Sequence, residues 1–594
     1  MSTETETAPG APGWLDKWLP VILLAVVGAS LPLWGDEFFG TIATRICVYW
    51  IICAGLNLVV GYAGQIAIGW VSLLTVGSYT ASALVAGRVT PEFHPYVALF
   101  CAAVVGAAFG LVAGLPALRL RTFYFAMTTL GLSTIITQIA LAWKSVTGGG
   151  LGIPGPMLPE PFDTTWGLYG FCLVVAVLAT WVTANISASR FGRSLIAIRD
   201  AEVAAEAVGI NKPRQLTNVF LLSGALAGVA GALFASLQSY ITPEAFSFDL
   251  SVLFFIAILI GGRGSILGPL LGTVVLTILP EFAAPLVQWS TFLYAVLLLA
   301  IVLLIPGGIA DLLDFKNRRP LDQHREIKPD PELLSHLMKP QDKGATLALK
   351  DIVLAFGGVR AVDGIDLDIR GGEVHGLIGP NGSGKTTTLN AISGYYAPQS
   401  GSVKVNGHDI TRLGSHKRAD FHIARTFQTP RIVGEASVIE NVMIGGSTDG
   451  HGTFLEAMFA LPRYRSDEKR LHDDAMTALR LVGLEQLAHV RADRLQHSEL
   501  RFVEIARAVM LRPKFLLLDE PAAGLSVDEI LRLGALITAI KKQGTGVLLV
   551  EHHADLIFEI CDRVTVLNLG QVLASGNAEE VRTHREVVNA YLGA

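Results

Sequence analysis

Eight consecutive residues, Gly379-Pro380-Asn381-Gly382-Ser383-Gly384-Lys385-Thr386, follow the spacing G-x-x-x-x-G-K-[ST]. Glycines at these positions let backbone N–H groups wrap phosphate oxygens, the lysine neutralises β- and γ-phosphates, and the Thr386 hydroxyl can ligate Mg2+. The flanks suit the motif. Residues 373–378 form a short apolar run fit for a strand, and 387–393 have helix-compatible composition. The phosphates would then meet a helix N-terminus, which favours negative charge, and Thr387 joins the binding set. About 130 residues further on, Phe515-Leu516-Leu517-Leu518-Asp519-Glu520-Pro521 reads as a buried strand ending in two carboxylates. Asp519 is placed to hold Mg2+ and Glu520 to polarise an attacking water. Together the two segments point to ATP binding and hydrolysis with Mg2+.

Such residues need an α/β scaffold to position them, and residues 346–594 resemble the ATP-binding-cassette family in the order and spacing of its motifs. The resemblance implies that Gln428, in Arg425-Thr426-Phe427-Gln428-Thr429, senses the metal and the γ-phosphate and contacts a permease. It implies that His552, following Glu551, hydrogen-bonds the γ-phosphate. Phe356, 23 residues before Gly379 in Phe356-Gly357-Gly358, would stack on adenine, and Gly524-Leu525-Ser526 would form the D-loop. One motif departs from the family. Its LSGGQ signature corresponds here to Leu495-Gln496-His497-Ser498-Glu499, ahead of Glu504-Ile505-Ala506-Arg507. Gln496 stands where a small residue is usual, Ser498 replaces the second glycine, and Glu499 adds a negative charge. In the family this loop clamps the γ-phosphate held by the opposite subunit. An asymmetric dimer is therefore expected: this chain's own ATP site works when the partner supplies a good signature, and the partner's site is weakened.

The ATP-binding segment is less than half of a chain of 594 residues whose composition is 51% hydrophobic and only 16% charged, with mean hydropathy +0.49. A soluble protein carries about 25% charged residues. The deficit is local: roughly 8% of residues 14–306 are charged, against roughly 25% of 307–594. A net charge of −5 leaves no basic excess, so nucleic acid is set aside as a partner. The five cysteines, Cys47, Cys53, Cys101, Cys172 and Cys561, contain no C-x-x-C, and four lie in the apolar half, where Cys serves as a small buried hydrophobe. Residues 1–13 are polar and carry Glu4 and Glu6 instead of a basic leader, so the first apolar run reads as a retained span.

A bilayer core of about 30 Å takes about 20 apolar residues per helix. Runs of that size occur at 15–34, 40–60, 66–87, 96–116, 122–142, 166–186, 215–238 and 284–305. Residues 250–280 are long enough for one tilted helix but contain Gly261-Gly262-Arg263-Gly264-Ser265. The loop 187–214 carries Arg190, Arg193, Arg199, Lys212 and Arg214, which assigns it to the cytoplasm together with Arg119 and Arg121. To finish inside, the chain is expected to use an odd number of segments after residue 214: three if 250–280 is one span with Arg263 in mid-bilayer, four only if one half of a broken pair is re-entrant. Interrupted segments mark substrate regions in transporters, and small residues equally serve close helix packing.

Within that loop, residues 195–209 have helical spacing, with Ile196, Val203, Ala207 and Val208 on one face and Arg199, Asp200, Glu202 and Glu206 on others. This fits a short amphipathic helix that lies on the membrane, docks into a partner domain, or presents a solvated charged face. Asn57, Gln65 and Gln138 are polar groups inside apolar runs, hence substrate-contact candidates or groups satisfied by neighbouring helices. Thr147-Gly148-Gly149-Gly150 falls on the outer side as a flexible mouth. Residues 306–345, with Lys316, Arg318, Arg319 and several prolines, read as a tether.

The expected organisation is a polar tail (1–13), a polytopic all-α membrane domain (14–306), a linker (307–345), and an α/β P-loop ABC ATPase domain with a helical subdomain (346–594). Residues 40–305 resemble the permease subunit of branched-chain amino acid importers. The resemblance rests on Gly55-Leu56-Asn57-Leu58-Val59-Val60-Gly61-Tyr62-Ala63-Gly64-Gln65, Thr147-Gly148-Gly149-Gly150, 194–209, and Gly261-Gly262-Arg263-Gly264-Ser265 through Gly268-Pro269. The ATP half is similar to that family's cassette, including its Tyr591-Leu592-Gly593 ending. This implies two fused subunits, a coupling helix at 194–209, and ATP-driven import of branched-chain or related amino acids across the cytoplasmic membrane. The implied partners are a second permease subunit, a second ATP-binding subunit, an extracytoplasmic substrate-binding protein and membrane lipid. The family also handles urea, short amides and aromatic or other carboxylates. An exporter half would need long cytoplasmic helical extensions, which the short connections oppose; a low-turnover sensing cassette is the other reading a degenerate signature allows.

Overall fold

The computed structural model describes residues 26–283 apart from 34, 90 and 121, scattered residues between 289 and 312, and residues 329–584 with 587. The tail 1–13, most of the runs at 15–34 and 284–305, linker residues 313–328 and the ending at 591–593 lie outside the described residues.

The N-terminal half is helical. Helix α1 (Glu37–Asn57) continues as a π-helical turn, Leu58–Tyr62, and is followed by α2 (Val71–Val85), α3 (Pro95–Gly114), α4 (Thr122–Ala142) and α5 (Thr165–Ser187). Then come α6 (Arg190–Ala207), α7 (Lys212–Gln238), α8 (Phe248–Gly261) and α9 (Gly268–Ala283). Side-chain caps start several of them: Asp36 accepts from Phe39 N–H, Thr164 from Gly167, and Ser247 from Leu250. Among the described residues six helices are long and apolar enough to cross a membrane. The run at 66–87 is not one of them: α2 has 15 residues, about 22 Å. The non-helical backbone before it is largely buried, with Ile66 exposed, and a membrane domain tolerates irregular chain where protein covers it. Helix α7 runs through the centre against α1, α2 and α3. A Cβ at Gly106 would stand 2.4 Å from the Gly224 carbonyl oxygen, and one at Gly228 would stand 2.1 Å from that of Ala102. Only glycine allows so close a backbone crossing.

Residues 250–280 are not one tilted span. They form a helical hairpin, α8 and α9 packed antiparallel, with a Cβ at Gly272 only 1.8 Å from the Ala257 carbonyl oxygen. Gly262 (φ 113°) and Gly264 (φ 75°) turn the tip, where Arg263 is exposed at the end of the hairpin and not in the middle of a helix. The expected odd count also fails on topology. A chain leaving the cytoplasm at residue 214 and returning to it crosses an even number of times. The outer loop differs from a flexible mouth: Thr147 Oγ1 donates to the Ala140 and Trp143 carbonyls at 2.6 and 2.8 Å, and Ile153 and Pro154 form a two-residue ladder with Ile241 and Tyr240.

The C-terminal half is α/β. Strands β1 (Thr346–Phe356), β2 (Val359–Arg370) and β4 (Ser400–Val405), with His408–Asp409, form an antiparallel sheet. A six-stranded sheet runs in the order β9 (Gln571–Asn577), β8 (Arg563–Asn568), β3 (Val374–Ile378), β7 (Gly546–Val550), β6 (Phe515–Asp519), β5 (Ile423–Arg425). All its pairings but β8 with β9 are parallel. Strands β3, β6 and β7 are buried throughout, which is why they read as continuous apolar runs. Helix α10 (Lys385–Ile392) follows β3. A helical layer holds α11 (Val438–Gly445), α12 (Phe454–Met458), α13 (Pro462–Leu481) and α14 (His497–Val509), and α15 (Val527–Lys542) lies between β6 and β7. The end of the linker is docked, not free: Leu334, Leu337 and Met338 are buried against this core, and Asp330 N–H donates to the Leu481 carbonyl at 3.0 Å.

Candidate nucleotide site and its link to the membrane helices

The phosphate loop joins β3 to α10. Gly379 holds φ 152°, where a Cβ would lie 2.2 Å from the Leu567 carbonyl oxygen; Gly382 holds φ 82° facing open space. Lys385 is buried and folds back over the loop, donating to the Gly379 and Pro380 carbonyls at 2.7 and 3.0 Å. Burial pulls its ammonium below the ordinary value, opposed by the Glu520 and Asp519 carboxylates. Ser383 Oγ is buried without a hydrogen-bond partner, and a phosphate oxygen would supply one. Asn381 and Thr386 are exposed, while Pro380 and Thr387 are half-buried beside them. Thr386 Oγ1 lies 3.5 Å from Asp519 Oδ1. An ammonium, an orphan hydroxyl and this hydroxyl–carboxylate pair together suit a nucleoside triphosphate with Mg2+. Phe356 is half-exposed at the β1–β2 turn and meets Tyr396 edge-on at 4.9 Å, with Tyr395 beyond it at 4.8 Å. Two tyrosines thus stand beside the residue expected to stack on adenine.

The three residues expected at the hydrolytic centre converge. Glu520 leaves β6 with φ 48°, uncommon for a non-glycine residue, and is held by its N–H to the Val550 carbonyl at 2.8 Å. Its Oε1 meets His552 Nε2 at 2.9 Å, and its Oε2 accepts from Gln428 Nε2 at 2.9 Å. Gln428, also expected to ligate the metal, therefore directs its amide nitrogen to Glu520. Two buried groups behind this cluster were missed. Arg425 pairs with Asp519 at 3.2 Å and also donates to Asn390 and Ser393. Burial raises the Asp519 carboxyl, and Arg425 opposes that rise. Glu551 accepts from the backbone N–H groups of Ala522 and His552 at 2.6 and 2.9 Å, fixing the turn that presents the histidine. Both stand out in the sequence as a charge inside or directly after an apolar strand.

At the departing signature, Gln496 is the N-cap of α14 and Glu499 closes a capping box, its Oε2 accepting from Gln496 N–H at 2.8 Å. Glu499 is buried. Its charge faces its own helix N-terminus, which corrects the expectation that it faces an opposite phosphate; the side chains of Gln496, His497 and Ser498 are what replace the small residues. Helix α14 also grips the Gln428 segment. Arg501 donates to the Phe427 carbonyl at 2.7 Å and to that of Gln428, Arg507 donates to the Arg431 carbonyl at 2.6 Å, and Glu504 accepts from Arg431 N–H at 3.2 Å.

Helix α6 connects this segment to the membrane helices. It starts at Arg190, earlier than 195, with Ser189 as cap, and kinks at Ala201 (φ −146°). Its apolar residues are docked: Ala201, Ala204 and Ala207 pack on Phe427, the neighbour of Gln428, while Ile198, Ala205 and Val208 pack on Val433 and Ile444. Arg193 pairs with Glu468 at 2.7 Å. Arg199 is a junction. It pairs with Glu435 at 2.5 Å and with its neighbour Asp200, and donates to the Gly61 carbonyl at 2.7 Å, at the π-helical end of α1. Beside it Asn57 clamps the α8–α9 tip, donating to the Ser265 carbonyl at 2.8 Å and accepting from Gly264 N–H at 2.9 Å. Asn57 is thus satisfied within the protein. Gln65 is buried near Arg119, Arg199 and Lys212 on the cytoplasmic side, and Gln138 is exposed on α4.

Comparisons with known proteins cover both halves. The family model for the permease component of branched-chain amino acid transport systems matches residues 38–306, and that for ABC transporters matches residues 362–523. The high-affinity branched-chain amino acid transport ATP-binding protein BraF of Pseudomonas aeruginosa is 38% identical over 248 residues, 42% of this chain and 97% of that protein. LivG of Escherichia coli, carrying the same description, is 35% identical over the same shares. A nucleotide-free ATP-binding cassette from an ABC transporter is similar at 31% identity, covering 42% of this chain and all of that one, with a TM-score of 0.38.

Proposed function

Because the chain belongs to the branched-chain amino acid transport family of ABC transporters, with permease and ATPase in one polypeptide, we propose that it is one side of a heteromeric importer. It pairs with a second permease subunit, a second ATP-binding subunit and an extracytoplasmic substrate-binding protein, and imports branched-chain or related amino acids across the cytoplasmic membrane. Urea, short amides and carboxylates are the alternative cargoes. The observation that carries the reading is the seating of α6 on Phe427, one residue from Gln428, whose amide bonds Glu520.

Bound Mg2+, held by Thr386 and Asp519, would neutralise phosphate charge in the transition state. Lys385 and the loop N–H groups hold the phosphates. Glu520 accepts a proton from the attacking water, and His552 and Gln428 fix its carboxylate in place. A shift of Gln428 on ATP binding or hydrolysis moves Phe427 and the α6 face upon it. Arg199 and Asn57 pass that shift to the end of α1 and the tip of the hairpin. The signature substitutions support asymmetric ATP sites, with the partner's P-loop the weaker one. Ligand screening of the cognate binding protein by thermal shift, followed by uptake in proteoliposomes holding the full assembly, tests the reading. ATP-dependent uptake of a branched-chain amino acid is expected; a purified chain that recruits neither partner subunit would overturn it.

A further inference from the structure

We propose that residues 453–461 of the ATP-binding half form a finger that dips into the cytoplasmic leaflet of the bilayer beside α5. The proposal rests on the membrane reading of α5. Thr453 and Glu456 form a capping box that starts α12, so the finger is a built turn of helix. One side of it is docked on the membrane half: Asn185 Nδ2 donates to the Met458 carbonyl at 2.9 Å, Phe454 meets Phe191 edge-on at 5.2 Å, and Phe459 lies 6.2 Å from Trp181. The other side is apolar and uncovered, with Leu455 64%, Phe459 50% and Leu461 43% exposed.

The height of the finger identifies its surroundings. Helix α5 has 23 residues, about 34 Å, slightly more than the hydrocarbon core. Trp181 stands six residues before its inner end at Ser187, about 9 Å up the helix, a depth inside the cytoplasmic leaflet for a helix that spans the core. Val174, Leu178, Trp181 and Asn185 share one face of α5. Val174 and Leu178 are exposed as a lipid-facing stripe, and the finger continues that stripe from Trp181 downward. Below the apolar tip, Arg463, Arg465 and Lys469 are exposed at the start of α13, where anionic headgroups would meet them. Of the acidic neighbours, Glu456 closes the α12 capping box and lies 3.7 Å from Arg463, which stays largely exposed; Glu468 is held by Arg193 and the Arg190 N–H, and Asp467 accepts from His451 and Gly452. An apolar tip above a basic collar is the pattern of an interfacial anchor, so the occupant is lipid, not another subunit.

The test uses the full chain assembled with its partner subunits in nanodiscs, in a Cys101→Ala background. A nitroxide is placed in turn at Leu455→Cys, Leu178→Cys and Leu569→Cys, and its accessibility to oxygen and to a water-soluble nickel chelate is measured. Oxygen accessibility severalfold above nickel accessibility at Leu455, as at Leu178, with the reverse at Leu569, supports the finger. A lipid-like Leu178 with an aqueous Leu455, or with a Leu455 closed to both agents by a partner subunit, overturns the finger alone. An aqueous Leu178 overturns the membrane reading of α5 and the finger with it.

Discussion

The nucleotide site and the bundle of membrane helices solve opposite problems. Around the nucleotide site, function depends on side-chain groups held at fixed points by other side chains: Glu520 between His552 and Gln428, Asp519 against Arg425. In the bundle, backbones cross closely at Gly106, Gly224, Gly228 and Gly272, and key polar links end on carbonyls, as Asn57 on Ser265 and Arg199 on Gly61. Chemistry needs functional groups that do not move relative to one another. Movement needs surfaces without protruding side chains, tied by a few bonds that can be remade elsewhere along the backbone. The two regimes meet at α6, where apolar residues touch Phe427 and a cation touches α1.

Substitutions on each side sharpen this contrast. The largest effect is expected from Glu520→Gln, which keeps the shape of the cluster and removes its base. ATP turnover by the assembled transporter should fall by roughly 10²–10⁴-fold, with nucleotide binding retained. The same change in the partner's cassette should cost far less if the sites are asymmetric; equal losses, measured by phosphate release, would end that idea. Next in size, Arg425→Met leaves Asp519 buried and unpaired, a loss of about 3–5 kcal/mol in thermal or denaturant unfolding of the assembly. Adding Asp519→Leu should restore stability though not hydrolysis, separating the two roles of that carboxylate.

On the other side of the contrast, Arg199→Gln removes the junction without touching nucleotide. Basal ATPase activity should persist, while stimulation by the loaded binding protein drops by roughly 5–150-fold, the range of ordinary coupling energies. If uptake and stimulation survive, the signal travels through the apolar contacts on Phe427 alone. The smallest effect concerns pH. Burial, reinforced by Arg563, holds the His375 imidazole down to about 4 from its ordinary 6.5. The folded chain therefore stays unprotonated where the unfolded chain takes up a proton. That contribution to stability is intact above about 6.5 and is lost as pH falls towards 4, about 1 kcal/mol between pH 7.5 and 5.5. His375→Gln should flatten this slope in pH-dependent unfolding; an unchanged slope would assign the acid sensitivity to other groups.

The fold and the site were legible to different depths. Residues 379–386 are contiguous, so their spacing alone carries the shape of the loop. Strands β3, β6 and β7 are buried on both faces and announce themselves as apolar runs. The hairpin at α8 and α9 was only half legible. Its glycines mark a break, but one tilted helix and two antiparallel ones have the same hydropathy, and parity of crossings, not composition, separates them. Glu499 misled for a related reason: its type shows a charge, and only the capping bond to Gln496 shows where that charge points. Arg199 was legible as a polar residue of an amphipathic helix, but not as a junction, because one of its acceptors is the carbonyl of Gly61, and every residue has a carbonyl.

By itself the sequence determined which chemistry the chain carries and that this chemistry is joined to membrane helices, because local spacing sets the backbone of the phosphate loop and apolar length sets which segments leave water. Only the tertiary structure decided which groups stand beside that chemistry. Glu520 meets Gln428 across 92 residues and α6 meets Phe427 across more than 200, and contacts so distant in the chain arise from packing, on which neither periodicity nor composition bears.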